Sequence, residues 1–322
     1  MRFPGRFAEQ LLPEHLSHVS LSFLVDDLVI RHGGVAGNIC CALGRLGDRP
    51  LLIGAVGGDF DEYGRALAAA GVDLGGVHTH ADLHTARFVC TTDTDMAQLA
   101  SMYPGAMARA ARISVAQLSA RHGRPDLVLI GADDPAAMLR HTEECREYGL
   151  PFAADPSQQL AYLDAARIRG LLDGADLLFT NEYEWGLLRT KTGLSEADIA
   201  AVVRTRVTTL AERGVEVVDS GGARVRVPAV PPIAEVDPTG VGDGFRAGFV
   251  FARGRGATVE RAAQLGCLVA VLVLESSGPQ GWSWRTDAAL ERLAAAYGPE
   301  AADDLAALLI DTAADRERKV PS

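Results

Sequence analysis

Asp237-Pro238-Thr239-Gly240-Val241-Gly242-Asp243-Gly244-Phe245 is a glycine-spaced turn that leads directly into an apolar run ending at Phe251. The run predicts a helix that begins at the turn. The first amides of a helix have no acceptor inside it and lie at the positive end of its dipole. Because glycine lacks a Cβ, such amides can converge on one anion, typically a phosphate group. The segment therefore predicts an anion-binding helix start.

Asp243 places a carboxylate inside this anion site, where it would repel the ligand that the amides attract. We therefore expect it to hold a substrate hydroxyl and accept its proton, while the amides of Gly240, Val241, Gly242 and Asp243 stabilise a phosphoryl group in transfer. We expect the pKa of Asp243 to be near the usual value of about 3.9, because the helix dipole favours the anion. Asp243 would then be a weak base that accepts the proton late in the transfer.

Composition bounds the class of protein. The chain has 322 residues, of which 48% are hydrophobic and 23% charged, as in an ordinary globular protein. Its net charge of −11 argues against a nucleic-acid or membrane-surface partner, because both require a basic face. The five cysteines show no CxxC spacing and their number is odd, which favours reduced thiols in the cytoplasm. The longest apolar run, Cys267 to Leu274, predicts a buried helix rather than a membrane span.

From Asp126 onward, apolar strand-like runs alternate with helical segments. This pattern predicts a doubly wound α/β fold, in which ligands bind beyond the carboxyl ends of the strands. The predicted strands are 127–130, 151–155, 177–180 and 207–210, with a hairpin at 215–218 and 223–227. The polar segments that follow strands are Asp133–Asp134, Asp155–Gln159, Asn181–Glu184 and Ala211–Gly214.

The first third of the chain predicts a small flap and a second glycine turn. Alternating apolar residues predict strands at His18–Val29, Thr85–Thr91 and Gln98–Met102, with a polar face that suits a cover over a pocket. Gly33-Gly34-Val35-Ala36-Gly37-Asn38 enters a helix through Leu46 and lacks the spacing of a dinucleotide-binding turn. The paired glycines would let the backbone approach a sugar, and Asn38 could bond its hydroxyls; a helix-capping asparagine is an equally good interpretation.

Both glycine turns resemble signatures of the ribokinase-like (PfkB) family of sugar and nucleoside kinases. The family patterns are Asp-Thr-x-Gly-Ala-Gly-Asp-x-Phe and Gly-Gly-x-x-x-Asn; here Pro238 is inserted and Val241 replaces the alanine. The similarity extends to about Tyr297 and is closest to bacterial adenosine kinases. It is carried by Phe3–Phe7, Leu21–Asp27, His84–Phe88, Asp155–Leu160 and Leu272–Ser276.

The resemblance implies a ribokinase-like, mostly parallel sheet with helices on both faces and a small β lid. It implies one domain, 1–322, with lid strands from about 1–32 and 80–105 placed on a core of 33–79 and 106–322. The implied activity is ATP-dependent phosphorylation of a nucleoside 5′-hydroxyl, with adenosine giving AMP in purine salvage and Asp243 as the base. A cytoplasmic enzyme that forms a homodimer through the lid, and binds neither nucleic acid nor membrane, is expected.

The resemblance also assigns site residues. Glu184, in an Asn-x-x-Glu motif, would hold Mg²⁺ through water. The nucleotide would lie against Asn181, Thr209, Ala211 and Gly214; Ala211 stands where the family has glycine and would be strained if φ is positive. A K⁺ requirement near Asp237 and Glu275 stays open. Nucleoside contacts are implied for Gly33, Gly34, Asn38, Gln158, Gln159, Phe23, Phe88 and Met102, the last in place of an aromatic residue.

Residues Met1 to Gln10 contain no strand pattern, whereas family members open with a core strand whose aspartate binds the ribose. We therefore expect about 5–15 residues to be missing before Met1. This departure keeps a catalytically weak nucleoside-binding protein as an alternative. A sugar kinase of the same family is the nearer alternative, and a dehydrogenase is the third.

Overall fold

Helices and strands alternate along most of the chain, as the spacing of its apolar runs predicts. The computed structural model describes residues 1–11, 20–95 and 97–318. The strands are β1 (Leu51–Gly57), β2 (Asp73–His80), β3 (Arg87–Thr92), β4 (Gln98–Tyr103), β5 (Val128–Ile130), β6 (Phe152–Ala154), β7 (Leu177–Asn181), β8 (Thr205–Thr209), β9 (Val215–Asp219) and β10 (Arg224–Val227). The helices are α1 (Phe7–Gln10), α2 (Val35–Leu46), α3 (Asp61–Ala69), α4 (Val115–His122), α5 (Pro135–Glu147), α6 (Ala165–Leu172), α7 (Glu182–Thr192), α8 (Glu196–Ala200), α9 (Val241–Gly254), α10 (Val259–Leu274), α11 (Thr286–Tyr297) and α12 (Pro299–Arg318), with 3₁₀ turns at Gly105–Arg112, Ser157–Ala161 and Ala211–Arg213.

The largest sheet has six strands in the order β10-β9-β8-β7-β6-β5. Strands β5 to β8 are parallel neighbours, whereas β9 and β10 run antiparallel and form the predicted hairpin at one edge. The carboxyl ends of the four parallel strands therefore meet at one edge of the sheet. This arrangement confirms the predicted doubly wound, mostly parallel architecture.

Helices cover both faces of this sheet because neighbouring residues of a strand point to opposite sides. Phe152 and Leu178 pack in one buried cluster with side chains of α4 to α8. Ala153 and Phe179, one position further along each strand, pack in a second cluster with side chains of α2 and α9 to α12. Two apolar layers thus cover the faces of the sheet, and loops follow the strands at the edge where their carboxyl ends meet.

Helix α9, which begins at the glycine turn, packs closely against α10. A Cβ at Gly248 would lie 2.8 Å from the Leu265 carbonyl oxygen, and one at Gly266 would lie 2.8 Å from the Phe245 ring. Both glycines are therefore required for the close approach of the two helices. The run ending at Leu274 forms the predicted buried helix; in the described ranges, no helix has both the length and the apolarity needed to cross a membrane.

Strands β1 and β2 form a separate parallel pair, connected by α3. Ile53 of β1 packs against the cluster that contains Ile130 of β5, so the pair lies beside the β5 edge of the large sheet. No ladder of hydrogen bonds joins the two sheets within the described residues. The expectation of residues preceding Met1 stays a prediction.

Strands β3 and β4 form an antiparallel pair apart from the other sheets, at the two positions that the sequence predicts. Every residue of β4 is exposed, and Phe88 lies opposite Met102 across the pair. Residues 1–3 line the outer edge of β3, where Phe3 N donates to Thr92 O and Thr92 N donates to Met1 O. The assignment of this region as a lid stays a prediction.

The predicted strand His18–Val29 is wrong for the residues that can be checked, 20–29; residues 18 and 19 lie outside the described residues. The segment has no regular strand, and its ladder is limited to a single bridge between Asp27 and Arg2. The β3 edge that it could have paired with is already bonded to residues 1–3. Its apolar residue Phe23 instead packs against the rings of Phe3 and Phe7, at 4.9 and 5.0 Å.

Candidate active site

The glycine turn at the start of α9 has amides that are available to a ligand. Gly240 caps the helix with φ of 81°, and its carbonyl accepts from the Gly244 amide at 2.9 Å. Among the described residues, no hydrogen-bond acceptor faces the amides of Gly240, Gly242 or Asp243, and the Val241 amide makes only a long contact of 3.4 Å to Pro238 O. The unpaired amides that the sequence predicts at this helix start are therefore present, and anion binding by them stays a prediction.

Packing leaves no room for a side chain at Gly240 or Gly244 of this turn. A Cβ at Gly240 would collide with the ring of Pro279, and the left-handed backbone there already disfavours other residues. A Cβ at Gly242 would lie 2.6 Å from Nη1 of Arg246, and one at Gly244 would lie 2.8 Å from Val273 of α10. The spacing of the glycines thus follows from packing as well as from the need for exposed amides.

Asp243 is a stronger base than its sequence context predicts. Burial raises the pKa of its carboxyl to about 6, although Arg246 and a hydrogen bond from Asn38 oppose the shift. Asp155 and Glu184 add smaller electrostatic contributions in the same direction as burial. The expected pKa near 3.9 is therefore wrong, because the loss of hydration outweighs the helix dipole.

Asn38 connects Asp243 to the first glycine turn. Its Nδ2 donates to Oδ2 of Asp243 at 2.8 Å, and its Oδ1 accepts from Nε2 of Gln280 at 2.8 Å. The same Nε2 donates to the hydroxyl of Tyr63 at 2.7 Å, and that hydroxyl donates to the Gly33 carbonyl at 3.0 Å. Asn38 is buried in α2 and does not cap it. Both ends of its amide have protein partners, and its predicted contact with the nucleoside stays a prediction.

Arg246 lies one helical turn after Asp243 and pairs with a buried acid. Its Nε lies 2.6 Å from Oδ2 of Asp155, and its Nη2 donates to Oδ1 of Asp155 at 2.7 Å and to Ser157 at 3.2 Å. Asp155 is fully buried, and Ser157 has a positive φ of 44°. Nε and Nη2 of Arg246 are therefore engaged by Asp155, whereas Nη1 lies beside Gly242 of the glycine turn.

Glu184 lies at the carboxyl end of β7 in a capping box. Its Oε2 accepts from the Asn181 amide at 2.8 Å, and Oδ1 of Asn181 accepts from the Glu184 amide at 2.7 Å. Burial raises the pKa of Glu184, and Arg246 partly offsets this. Within the described chain Oε1 has no hydrogen bond, so one oxygen can bind a hydrated cation. The residue fits a Mg²⁺ ion that keeps most of its waters.

The end of β8 and the loop after it hold three of the predicted nucleotide-side residues. Ala211 has φ of 53°, one of two non-glycine residues with positive φ in the described ranges. Gly214 has φ of 89°, and its carbonyl accepts from the Leu210 amide at 2.7 Å. Thr209 ends β8 beside Asn181 of β7. The position of Ala211 therefore does require the left-handed conformation in which alanine is strained.

The remaining predicted nucleoside contacts are dispersed. Phe88 and Met102 are 67% and 52% exposed on the β3–β4 pair, so they are available to a ligand, whereas Phe23 is engaged with Phe3 and Phe7. Gln158 is exposed, while Nε2 of Gln159 donates to the Asp133 carbonyl at 2.7 Å. The structure brings Gly33, Gly34 and Asn38 close to the Asp243 turn through the Asn38 bond.

Asp237 and Glu275, the residues near which a K⁺ requirement stays open, each bind an arginine side chain. Oδ2 of Asp237 accepts from Arg31 at 2.6 Å and from the Gly278 amide at 3.1 Å, and Oδ1 accepts from the Thr239 amide at 2.9 Å. Glu275 accepts from both terminal nitrogens of Arg292, at 2.7 and 2.9 Å, and from the Ile233 amide at 2.7 Å. Each carboxylate thus has a guanidinium partner, and a K⁺ requirement near them stays a prediction.

Sequence reasoning did not identify three hydrogen-bonded pairs of the site: Gln280 with Asn38, Gln280 with Tyr63, and Asp155 with Arg246. Gln280 is 242 residues from Asn38 along the chain, so no local pattern links them. Arg246 did carry a signal, because a charged residue within the apolar run of α9 must have a partner when it is buried. The buried partner is Asp155, at the end of β6.

Comparisons with known proteins agree with this geometry. The family described as pfkB family carbohydrate kinase matches residues 8–286. A nucleoside kinase of Methanothermobacter thermautotrophicus is 31% identical over 276 residues, which cover 84% of this chain and 86% of that protein. The structure of Burkholderia thailandensis nucleoside kinase in complex with inosine is 33% identical with a TM-score of 0.81, covering 92% of this chain and 94% of that one. The same enzyme in complex with ADP-inosine is 33% identical with a TM-score of 0.79, covering 92% of each chain.

The family match spans residues 8–286, which include both glycine turns. These similarities confirm the ribokinase-like fold and make the protein a phosphotransferase. The chain belongs to the pfkB family of carbohydrate kinases.

Proposed function

We propose that this kinase transfers the terminal phosphoryl group of ATP to the 5′-hydroxyl of a nucleoside, with adenosine, giving AMP, as the leading substrate. The observation that carries the proposal is the position of the Asp243 carboxyl at a helix start with three amides that have no protein acceptor among the described residues. The pKa of this carboxyl is about 6. A base of this strength is largely ionised at neutral pH and still able to take a proton from an attacking alcohol. The amides supply the complementary stabilisation of negative charge.

The reaction follows from this arrangement. The 5′-oxygen forms a bond to the γ-phosphorus as the bond from that phosphorus to the β–γ bridging oxygen breaks, and ADP leaves. The proton of the hydroxyl passes to Asp243, while the amides of Gly240, Gly242 and Asp243 bind the equatorial oxygens. When bound, Mg²⁺ supplies positive charge at the phosphates; Glu184 would hold it through water.

Support for a nucleoside acceptor comes from the relatives. The Methanothermobacter protein and the Burkholderia enzyme are both nucleoside kinases, and the latter binds inosine. In this chain Phe88 and Met102 present exposed side chains opposite each other, and an aromatic ring suits stacking on a base. We place the base against this pair and the ribose near Gly33, Gly34 and Asn38, with Gln158 and Gln159 at its other side.

The ATP side of the site is proposed from the loops that follow β7 and β8. Asn181, Thr209, Ala211 and Gly214 lie at the ends of these neighbouring strands. In open α/β sheets a nucleotide binds at this edge. The distance from the glycine turn to this loop pair would be spanned by the triphosphate, which places the γ-phosphate near Asp243.

An acceptor panel tests the proposal. ADP release is coupled to a spectrophotometric readout with adenosine, inosine, cytidine, ribose or no acceptor, each with ATP and Mg²⁺. We expect release that depends on the acceptor and is fastest with adenosine. A preference for ribose would assign the chain to the sugar kinases of the family. A rise in Tm on adding adenosine, with no ADP formed from any acceptor, would replace catalysis by nucleoside binding.

We also propose that the lid mediates a homodimer, because β4 is exposed along its whole length and carries the apolar residues Leu99, Met102 and Tyr103. A second copy could pair with or pack on this strand. Sedimentation at micromolar concentration should give a dimer that Leu99→Asp converts to a monomer. A monomeric parent protein would remove the proposal.

A further inference from the structure

Gln280 is placed where it can control the orientation of the Asn38 amide. Its Nε2 has two hydrogens, and the two acceptors facing it are Oδ1 of Asn38 at 2.8 Å and the Tyr63 hydroxyl at 2.7 Å. An ionised carboxylate only accepts hydrogen bonds, so Asp243 requires the nitrogen end of Asn38 to face it. The carbonyl oxygen of Asn38 then faces Gln280, whose Nε2 donates to it.

The backbone around Gln280 is held on both sides. Nη2 of Arg45 donates to the Gln280 carbonyl at 2.8 Å, and its Nη1 donates to the Trp282 carbonyl at 2.7 Å. Two residues earlier, the Gly278 amide donates to Asp237, and Pro279 packs directly on Gly240. One short segment therefore contacts the anion-binding turn and also presents the side chain that orders Asn38.

We infer that Gln280 is a positioning residue for catalysis: by donating to Asn38 and Tyr63 it holds the Asn38 amide with its nitrogen toward Asp243. Without this donor, the Asn38 amide can rotate and present its oxygen to the carboxylate. The rotation replaces a hydrogen bond by a repulsive contact between two acceptors. Asp243 would then be a stronger base but protonated over more of the neutral range, and its oxygen would lose its fixed direction.

The inference rests on Asp243 as the base of the proposed function, but it can be tested without turnover. Carboxyl ¹³C NMR of the full-length protein follows the ionisation of Asp243, whose signal is identified by its loss in Asp243→Asn. We expect Gln280→Met to lower the acid dissociation constant of Asp243 about tenfold, the size expected when a hydrogen bond to a charged group is lost. Gln264→Met is the matched control, since Gln264 is a buried glutamine of α10 that accepts from Arg261 at 3.1 Å.

Charged and titratable groups lie around both ends of this chain of bonds. Those around Asp243 are Arg246, Asp155 and Glu184. Those around Tyr63 and Gln280 are Cys40, Cys41, Arg45 and His32, whose ring stacks on Tyr63 at 4.5 Å. Observing the Asp243 signal itself separates its titration from theirs. If nucleosides prove not to be substrates, the NMR result still decides the role of Gln280.

A double-variant cycle shows whether Gln280 acts through Asn38. In an Asn38→Ala background, Gln280→Met should leave the ionisation of Asp243 unchanged. In the active enzyme, the acid limb of kcat/KM for the nucleoside should move to higher pH with Gln280→Met and stay in place with Gln264→Met. An Asp243 titration that is the same in Gln280→Met as in the parent, or an equal shift in the Asn38→Ala background, would overturn the inference.

Discussion

The turn at residues 237–245 and the predicted lid, which comprises β3, β4 and residues 20–29, differ in how their residues are held. A side chain at Gly240 or Gly244 of the turn would collide with a packed neighbour, and Asp243, Asn38 and Gln280 form a continuous series of hydrogen bonds. In the lid, β4 is exposed throughout, and segment 20–29 makes a single bridge. The turn is therefore built before a ligand arrives, whereas the lid has apolar surface that a ligand or a second copy could cover. Variants in the turn should affect turnover, and variants in the lid should affect binding.

Asp243→Asn should have the largest effect. Removing the base should lower kcat by about 10²–10⁴-fold while circular dichroism stays unchanged. Because the pKa of Asp243 is raised in the folded protein, ionising it costs folding free energy as pH rises through about 6. The variant cannot ionise at this position, so its Tm minus the Tm of the parent should be larger at pH 8 than at pH 4.

Asp198→Asn is the matched control, since Asp198 occupies the same third position of helix α8 and, among the residues that the structure describes, its carboxylate accepts hydrogen bonds from Ser195. It should keep full turnover and lose about 1 kcal/mol of stability at most. Near-normal turnover in Asp243→Asn would remove that carboxylate from the mechanism.

Gly240→Ala tests whether the turn depends on close packing. The methyl group meets Pro279 and the backbone is left-handed there, so we expect a loss of roughly 1–3 kcal/mol in unfolding free energy and a large fall in kcat. Gly254→Ala, at the far end of α9 with no atom near its Cβ, should be neutral or stabilising. Equal behaviour of the two variants in chemical denaturation and in the ADP assay would show that the turn is not specially packed.

Phe88→Ala should sharpen the contrast from the lid side. Its side chain is 67% exposed, so stability should scarcely change. Loss of stacking should raise KM for adenosine about tenfold, which corresponds to about 1.4 kcal/mol. Tyr148→Ala removes an aromatic side chain that is 55% exposed at the end of α5, and it should leave KM unchanged. An unaltered KM in Phe88→Ala would place the base elsewhere.

Ala211→Gly should give the smallest effect and the opposite sign. Relief of the left-handed strain should stabilise the protein by up to about 1 kcal/mol, and KM for ATP should stay the same or fall. The control Ala201→Gly changes an exposed alanine with φ of −72° and should destabilise by a similar or smaller amount. Melting curves of both variants decide the comparison; a destabilised Ala211→Gly would show that φ there carries no strain.

The contrast between turn and lid also explains what could be predicted from sequence. Buried strands such as Leu177–Asn181 and the glycine turn were predictable, because continuous apolar runs and glycine spacing are local signals. The pKa of Asp243 was not, because it depends on burial by elements distant in sequence. The partners of Asn38 and Arg246 come from more than 90 residues away, apart from Ser157 at 89. Segment 18–29 alternates like a strand, but pairing depends on an edge that residues 1–3 occupy.

The most direct test of the account is the pH dependence of nucleoside-dependent ADP release by the parent protein. With Asp243 as the base, kcat/KM for adenosine should be level above pH 7 and fall about tenfold per pH unit below pH 6, following the carboxyl whose pKa is about 6. The residual rate of Asp243→Asn should lack this limb. A rate that stays level down to pH 4.5, or a limb that persists in Asp243→Asn, would contradict the claim that a buried carboxylate at this helix start accepts the substrate proton.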